Sequence, residues 1–125
     1  MRVQAPWRIR LTQTDDIALY GDRWWVYDEA AILRLSFAEL LAIEAEIPVK
    51  LKVAIDDCRE SGVMGEMVAL WVAMRMAADP TWPAPPFAEF TPMIFTCDWE
   101  RVPEEPDPGP LDEDPSSSES TETPG

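Results

Sequence analysis

Residues 7–12, WRIRLT, alternate apolar and polar side chains. Trp7, Ile9 and Leu11 fall on one face of an extended chain and Arg8, Arg10 and Thr12 on the other, which predicts a half-buried strand. In IALYGDRWWVY, residues 17–27, two apolar-aromatic runs flank Gly21-Asp22, a pair suited to a hairpin turn. The expectation for residues 1–27 is a small antiparallel sheet of two or three strands.

From Asp28 the period changes. Asp28 is placed to cap a short helical turn, EAAILR. Ser36 and Glu39 then form the two ends of a capping box, with Leu35 and Leu40 spaced for the hydrophobic staple beside it. The helix that follows runs through LLAIEAE and must stop near Ile47, because Pro48 disfavours helical geometry in the residue before it. Pro48 is expected to open the next helix as a first-turn residue. There Leu51, Ala54, Ile55 and Cys58 form an apolar stripe, Lys50, Lys52, Asp56, Asp57, Arg59 and Glu60 form the wet side, and Gly62 ends the run.

A third helix is expected from Val63 to Ala78, with Pro80 stopping it. Glu66 and Arg75 are its only charges and fall on opposite sides, so it has no broad polar face. A helix apolar all round is normally buried all round. The plain reading makes it the central core helix. The sharper reading packs one side on the sheet and offers the other, with Met64, Met67, Trp71 and Met74, to a partner. Flexible thioethers suit surfaces that accept varied helical ligands. Trp82 and Phe87 would complete such a groove. The run is too short and too charged to span a bilayer.

TWPAPPFAEFTP reads as an ordered loop with one helical turn at Phe87–Phe90, and MIFTCDW as a short final strand or helix. After Val102 the composition shifts to acidic, Pro, Ser and Thr residues with a single large apolar one, Leu111. Such a segment buries too little to offset its ordering entropy, so 103–125 is expected to be disordered. The fold class read from the pattern is α+β and mainly helical. It comprises one domain over residues 1–102, β-rich to 27 and helical from 28, with a three-helix body.

Charge sharpens this picture. The net charge is −14. Residues 1–102 hold 10 basic and 16 acidic residues, net −6, and the remaining 8 acids lie in the tail. A chain of this sign repels phosphate, so direct nucleic-acid binding is not expected. Two isolated cysteines, Cys58 and Cys97, suit a reduced compartment better than a disulfide framework. The start shows no signal-peptide core, and a soluble cytoplasmic protein is expected.

Candidate chemistry is sparse. Histidine is absent, which removes the commonest general base and metal ligand. The cysteines lack ligand-spaced companions, and no phosphate-binding, dinucleotide or nucleophile-elbow motif occurs. Asp56, Asp57 and Glu60 could in principle hold a hard cation or act as acid and base, yet Lys52 and Arg59 beside them suggest a solvated helix face. Trp24, Trp25, Trp82 and Trp99 have no basic surface around them and are read as core and rim. No catalytic residue, cofactor or metal is expected, and an enzyme is the weakest class.

The layout carries a resemblance. A β-rich start leads into LSFAELLAIEAE, a second helix, then MVALWVAMRMAADP, an aromatic segment around FAEF and an acidic tail. With the patterns L-x-F-x-E-x-x-x-I-E and A-L-W-x-A-x-R, residues 28–125 resemble the tail assembly chaperones of long-tailed phages of actinobacterial hosts. The resemblance implies a non-enzymatic chaperone. It would bind the aggregation-prone tape-measure protein, and with it the tail-tube protein, in the host cytoplasm and be absent from the mature virion. It also implies a frameshifted longer product, and self-association is a further expectation. The partner surface would be the Met64, Met67, Trp71, Met74, Trp82 and Phe87 groove, with the acidic tail keeping the complex soluble. Two other classes stand beside it: an acidic DNA-mimicking inhibitor of a host protein, and a minor structural tail or connector component of the virion.

Overall fold

The computed structural model describes residues 5–103. Its elements, in order, are β1 (Trp7–Arg10), α1 (Thr14–Tyr20), β2 (Trp25–Tyr27), α2 (Glu29–Leu33), α3 (Phe37–Glu46), α4 (Leu51–Arg59), α5 (Val63–Ala77), 3-10 turns at Phe87–Glu89 and Ile94–Thr96, and β3 (Asp98–Arg101). The α+β, mainly helical class follows from this order. The expected acidic tail lies, but for Pro103, outside the described residues.

The sheet is antiparallel with strand order β2-β1-β3. The alternation in WRIRLT behaves as its period demands. Ile9 and Leu11 are buried with Trp25 and Tyr27, and Ile9 pairs with both Trp25 and Trp99. On the outer face Arg8 pairs with Glu100 and Arg10 with Asp98, while both guanidiniums lie over the Trp24 ring. Arg23 lies over Trp25, so Trp24 and Trp25 do have the basic neighbours that the sequence did not lead one to expect.

The expected hairpin at Gly21-Asp22 does not form. Residues 14–20 are helical, with Asp15 and Asp16 in the first turn where the helix dipole favours them. Gly21 ends that helix instead, at φ 110°, and its bare Cα lies under the Trp82 ring. The third strand therefore comes from the far end of the domain, where the MIFTCDW segment supplies both a 3-10 turn and β3.

The starts of α2 and α3 use the side chains expected, although Glu39 supplies only its amide to the capping box and its carboxylate lies near Arg75. Asp28 accepts from the amides of Ala30 and Ala31, and Ser36 Oγ accepts from Glu39 N at 3.2 Å. Pro48 does not enter a helix, since α4 begins at Leu51 after Lys50. Neither Lys50 nor Gly62 caps its own helix through a side chain. Each helix borrows a carboxylate from the one before it: Glu44 accepts from Leu51 N at 2.9 Å and Asp57 accepts from Gly65 N at 2.8 Å. The acidic cluster on α4 is thereby divided, with Asp57 capping α5 and Asp56 near Arg59.

Helix α5 is the axis of the core. It packs against α4, β2 and the 3-10 turn at Ile94. Every residue from Val68 to Met74 is buried. The approach of α4 is closest at Gly65, where an added Cβ would lie 2.1 Å from the Cys58 backbone nitrogen. Beside this crossing Glu29, only 3% exposed, takes a two-pronged contact from Arg59 at 2.5 and 3.2 Å.

Candidate partner-binding face

The six residues expected to line a groove do not form an open one. Trp71 is 1% exposed and Met74 is 0% exposed. Met67, Trp82 and Phe87 are half-buried against the core, and Met64 alone is exposed. The reason is intramolecular. The Pro-rich segment after Pro80 folds back over α5: Trp71 Nε1 donates to Pro85 O at 2.7 Å, and Phe87 meets the Trp71 ring edge-on at 5.6 Å. Phe90 continues the stack onto Tyr20. The side of α5 assigned to a partner is thus occupied by the chain itself, and the plain core reading of this helix holds.

While Leu19, Met93 and Phe95 are exposed singly elsewhere among the described residues, an exposed apolar face lies on α3. Its core side is Leu40, Ile43 and Ile47. Its outer side is Phe37, Ala38, Leu41, Ala42 and Ala45, all exposed, with Phe37 at 76% and Leu41 at 50%. At about 100° per residue these five positions cover an unbroken arc of about 140°. Ordinary solvent-facing helices place charge there. Here the three glutamates stand at the margins instead. Glu44 borders the Phe37 edge, and Glu39 and Glu46 border the Ala42 edge. Arg75 of α5 lies between the latter two, 3.8 Å from Glu39 and 3.6 Å from Glu46.

Two shallow grooves border this helix. One of about 230 Å³ is floored by Leu35 and Ile43 and edged by Glu39, Arg75 and Met76. The other, of about 410 Å³, lies between Ile47 and Pro48 and the aromatic turn at Phe87 and Phe90. Phe87 therefore borders a groove after all, but one formed with α3 rather than with the exposed side of α5.

The signal for this face was present in FAELLAIEAE. A helix needs one stripe for the core, and positions 40, 43 and 47 supply it. Phe37 and Leu41 are surplus to that stripe.

A separate cavity of about 210 Å³ opens between the sheet and the α4–α5 crossing, with Trp7, Trp99, Tyr27, Arg59 and Glu66 among its walls. Burial, reinforced by Glu66 and other nearby carboxylates, pushes the Cys58 thiol up to about 12, so it is protonated at neutral pH. Burial likewise raises the Tyr27 phenol and the Glu66 carboxyl, the latter helped by Asp57. These shifts favour the protonated forms, the opposite of what activates a nucleophile.

Among the described residues no group of three or more His, Cys, Asp or Glu is placed to hold a metal ion. No helix among them is long and apolar enough to cross a membrane. In comparisons with protein families, curated proteins and solved structures, nothing matches this chain.

Proposed function

We propose that this protein is a non-enzymatic chaperone that shields an amphipathic helix of a client protein on the outer face of α3. The observation that carries the reading is the exposed Phe37–Leu41–Ala45 stripe on a helix whose core-facing side is already satisfied. A contiguous apolar face of this kind on a strongly charged chain suits helix-in-groove recognition. The resemblance in layout to phage tail assembly chaperones supplies the client: the tape-measure protein, held in the host cytoplasm while the tail tube is built, with the chaperone left out of the finished virion. The net charge of −14 would keep such a complex soluble.

Co-expression with the tape-measure protein, followed by size-exclusion chromatography, tests this. The client is expected to become soluble and co-elute, and amide exchange in α3 is expected to slow on binding. A client that precipitates while this protein elutes alone would refute the reading.

A further inference from the structure

We infer that the helix received by α3 is basic along both margins of its apolar stripe. The inference rests on the reading above and adds the partner's charge pattern to it. Two features carry it. The apolar arc on α3 contains no charge, so it supplies adhesion without choosing among partners. Its two margins carry Glu44 on one side and Glu39 and Glu46 on the other, with Arg75 as the cation set between the latter pair. One guanidinium shared by two carboxylates leaves that margin with net negative charge, and the opposite margin has Glu44.

This is the arrangement by which flanking positions of paired helices choose their partner. A client helix with Lys or Arg on both sides of its stripe meets complementary charge along its length. A second copy of this chain does not. Whether two α3 helices pair parallel or antiparallel, each acidic margin faces another acidic margin, and like charges held together at an interface select against that pairing. A helix with acidic margins is rejected on the same ground.

Three peptides with one shared Leu-rich stripe and Lys, Gln or Glu at the flanking positions provide the probe, titrated by fluorescence anisotropy against the full chain. At low salt the Lys-flanked peptide should bind about tenfold tighter than the Gln-flanked one, as two or three partly exposed ion pairs allow. The gap should close at high salt.

The acidic tail attracts any cation, so the comparison is repeated in Glu39→Gln/Glu44→Gln/Glu46→Gln. Glutamine keeps the acceptor that Leu51 N uses, and the preference should vanish. If this triple variant fails to fold, the single Glu39→Gln gives the same comparison with a smaller expected change. Equal binding of the Lys and Gln peptides would overturn the charge inference while leaving the α3 reading in place. A Lys preference undiminished by the substitutions would overturn it too, by assigning the attraction elsewhere. Failure of every peptide to bind would remove both. Sedimentation showing a dimer that Leu41→Ala dissociates would replace the client with a second copy.

Discussion

Replacing Phe37 and Leu41 together by alanine separates binding from folding more cleanly than any change in α5. Full burial of a Phe or Leu side chain is worth about 1.5–3 kcal/mol. Phe37 exposes 76% of its surface and Leu41 50% in the free protein. Docking a helix over both would therefore recover about 2 and about 1 kcal/mol, roughly 3 kcal/mol in all. The double variant should then bind a client helix about 100-fold more weakly. Its stability should fall by only about 1 kcal/mol, because neither side chain belongs to the core and alanine's better helix propensity offsets part of the contact that the buried half of Leu41 loses. Isothermal titration with an amphipathic peptide reads the first quantity and a urea melt the second. Wild-type affinity in a variant that melts normally would refute the role of this face. Trp71→Ala, in contrast, should lose about 3–5 kcal/mol of stability, since it empties the centre of the core and strands the Pro85 carbonyl.

Three further outcomes follow from the packing. Gly65→Ala sets a methyl against the α4 backbone, 2.1 Å from Cys58 N, and should lower the urea midpoint sharply, by about 3 kcal/mol of stability. Glu66→Gln should raise the melting temperature at pH 7. The folded carboxyl has a raised pKa, so its stabilising protonated form is lost as pH rises through that value, and the advantage of glutamine should disappear near pH 3. Burial pushes both the Cys58 and Cys97 thiols from 9.0 to about 12. Stability should therefore be complete below pH 9 and fall as pH rises toward 12, and native protein should alkylate slowly at pH 8 compared with urea-unfolded protein.

The helical half of the fold was legible because its signals are local. Asp28, Ser36 and Pro80 act within a few residues of themselves, and the α4 stripe of Leu51, Ala54 and Ile55 is read directly from spacing. The sheet was half legible. Period-two alternation located β1, but Gly21 suits a helix end as well as a hairpin, and the Trp82 ring that packs on its bare Cα comes from 61 positions away. The covering of α5 was hidden for a related reason. Hydrophobicity alone singled out α5, and nothing local announces that Pro85 and Phe87 return to cover Trp71. The surplus apolar face of α3 was present in the sequence yet hidden, since an amphipathic helix and a helix with two apolar faces differ only in which stripe the core uses. The caps that Glu44 and Asp57 lend to the following helices lie seven and eight residues from their amides, outside the reach of a capping-box pattern.

The pairing of β1 with β3 has a mechanical consequence. Because the strands are antiparallel and Trp7 is opposite Arg101, the chain enters and leaves the domain at the same end of one ladder, where Val102 N also donates to Pro6 O at 3.1 Å. Tension applied through the two flanking segments would load these bonds one at a time from that end, as a zipper is opened, rather than all together in shear. The sheet should therefore yield at low force, Trp7 and Arg101 parting first, while the α4–α5 crossing is still intact. The domain has, in this ladder, a seam that opens from its outer end.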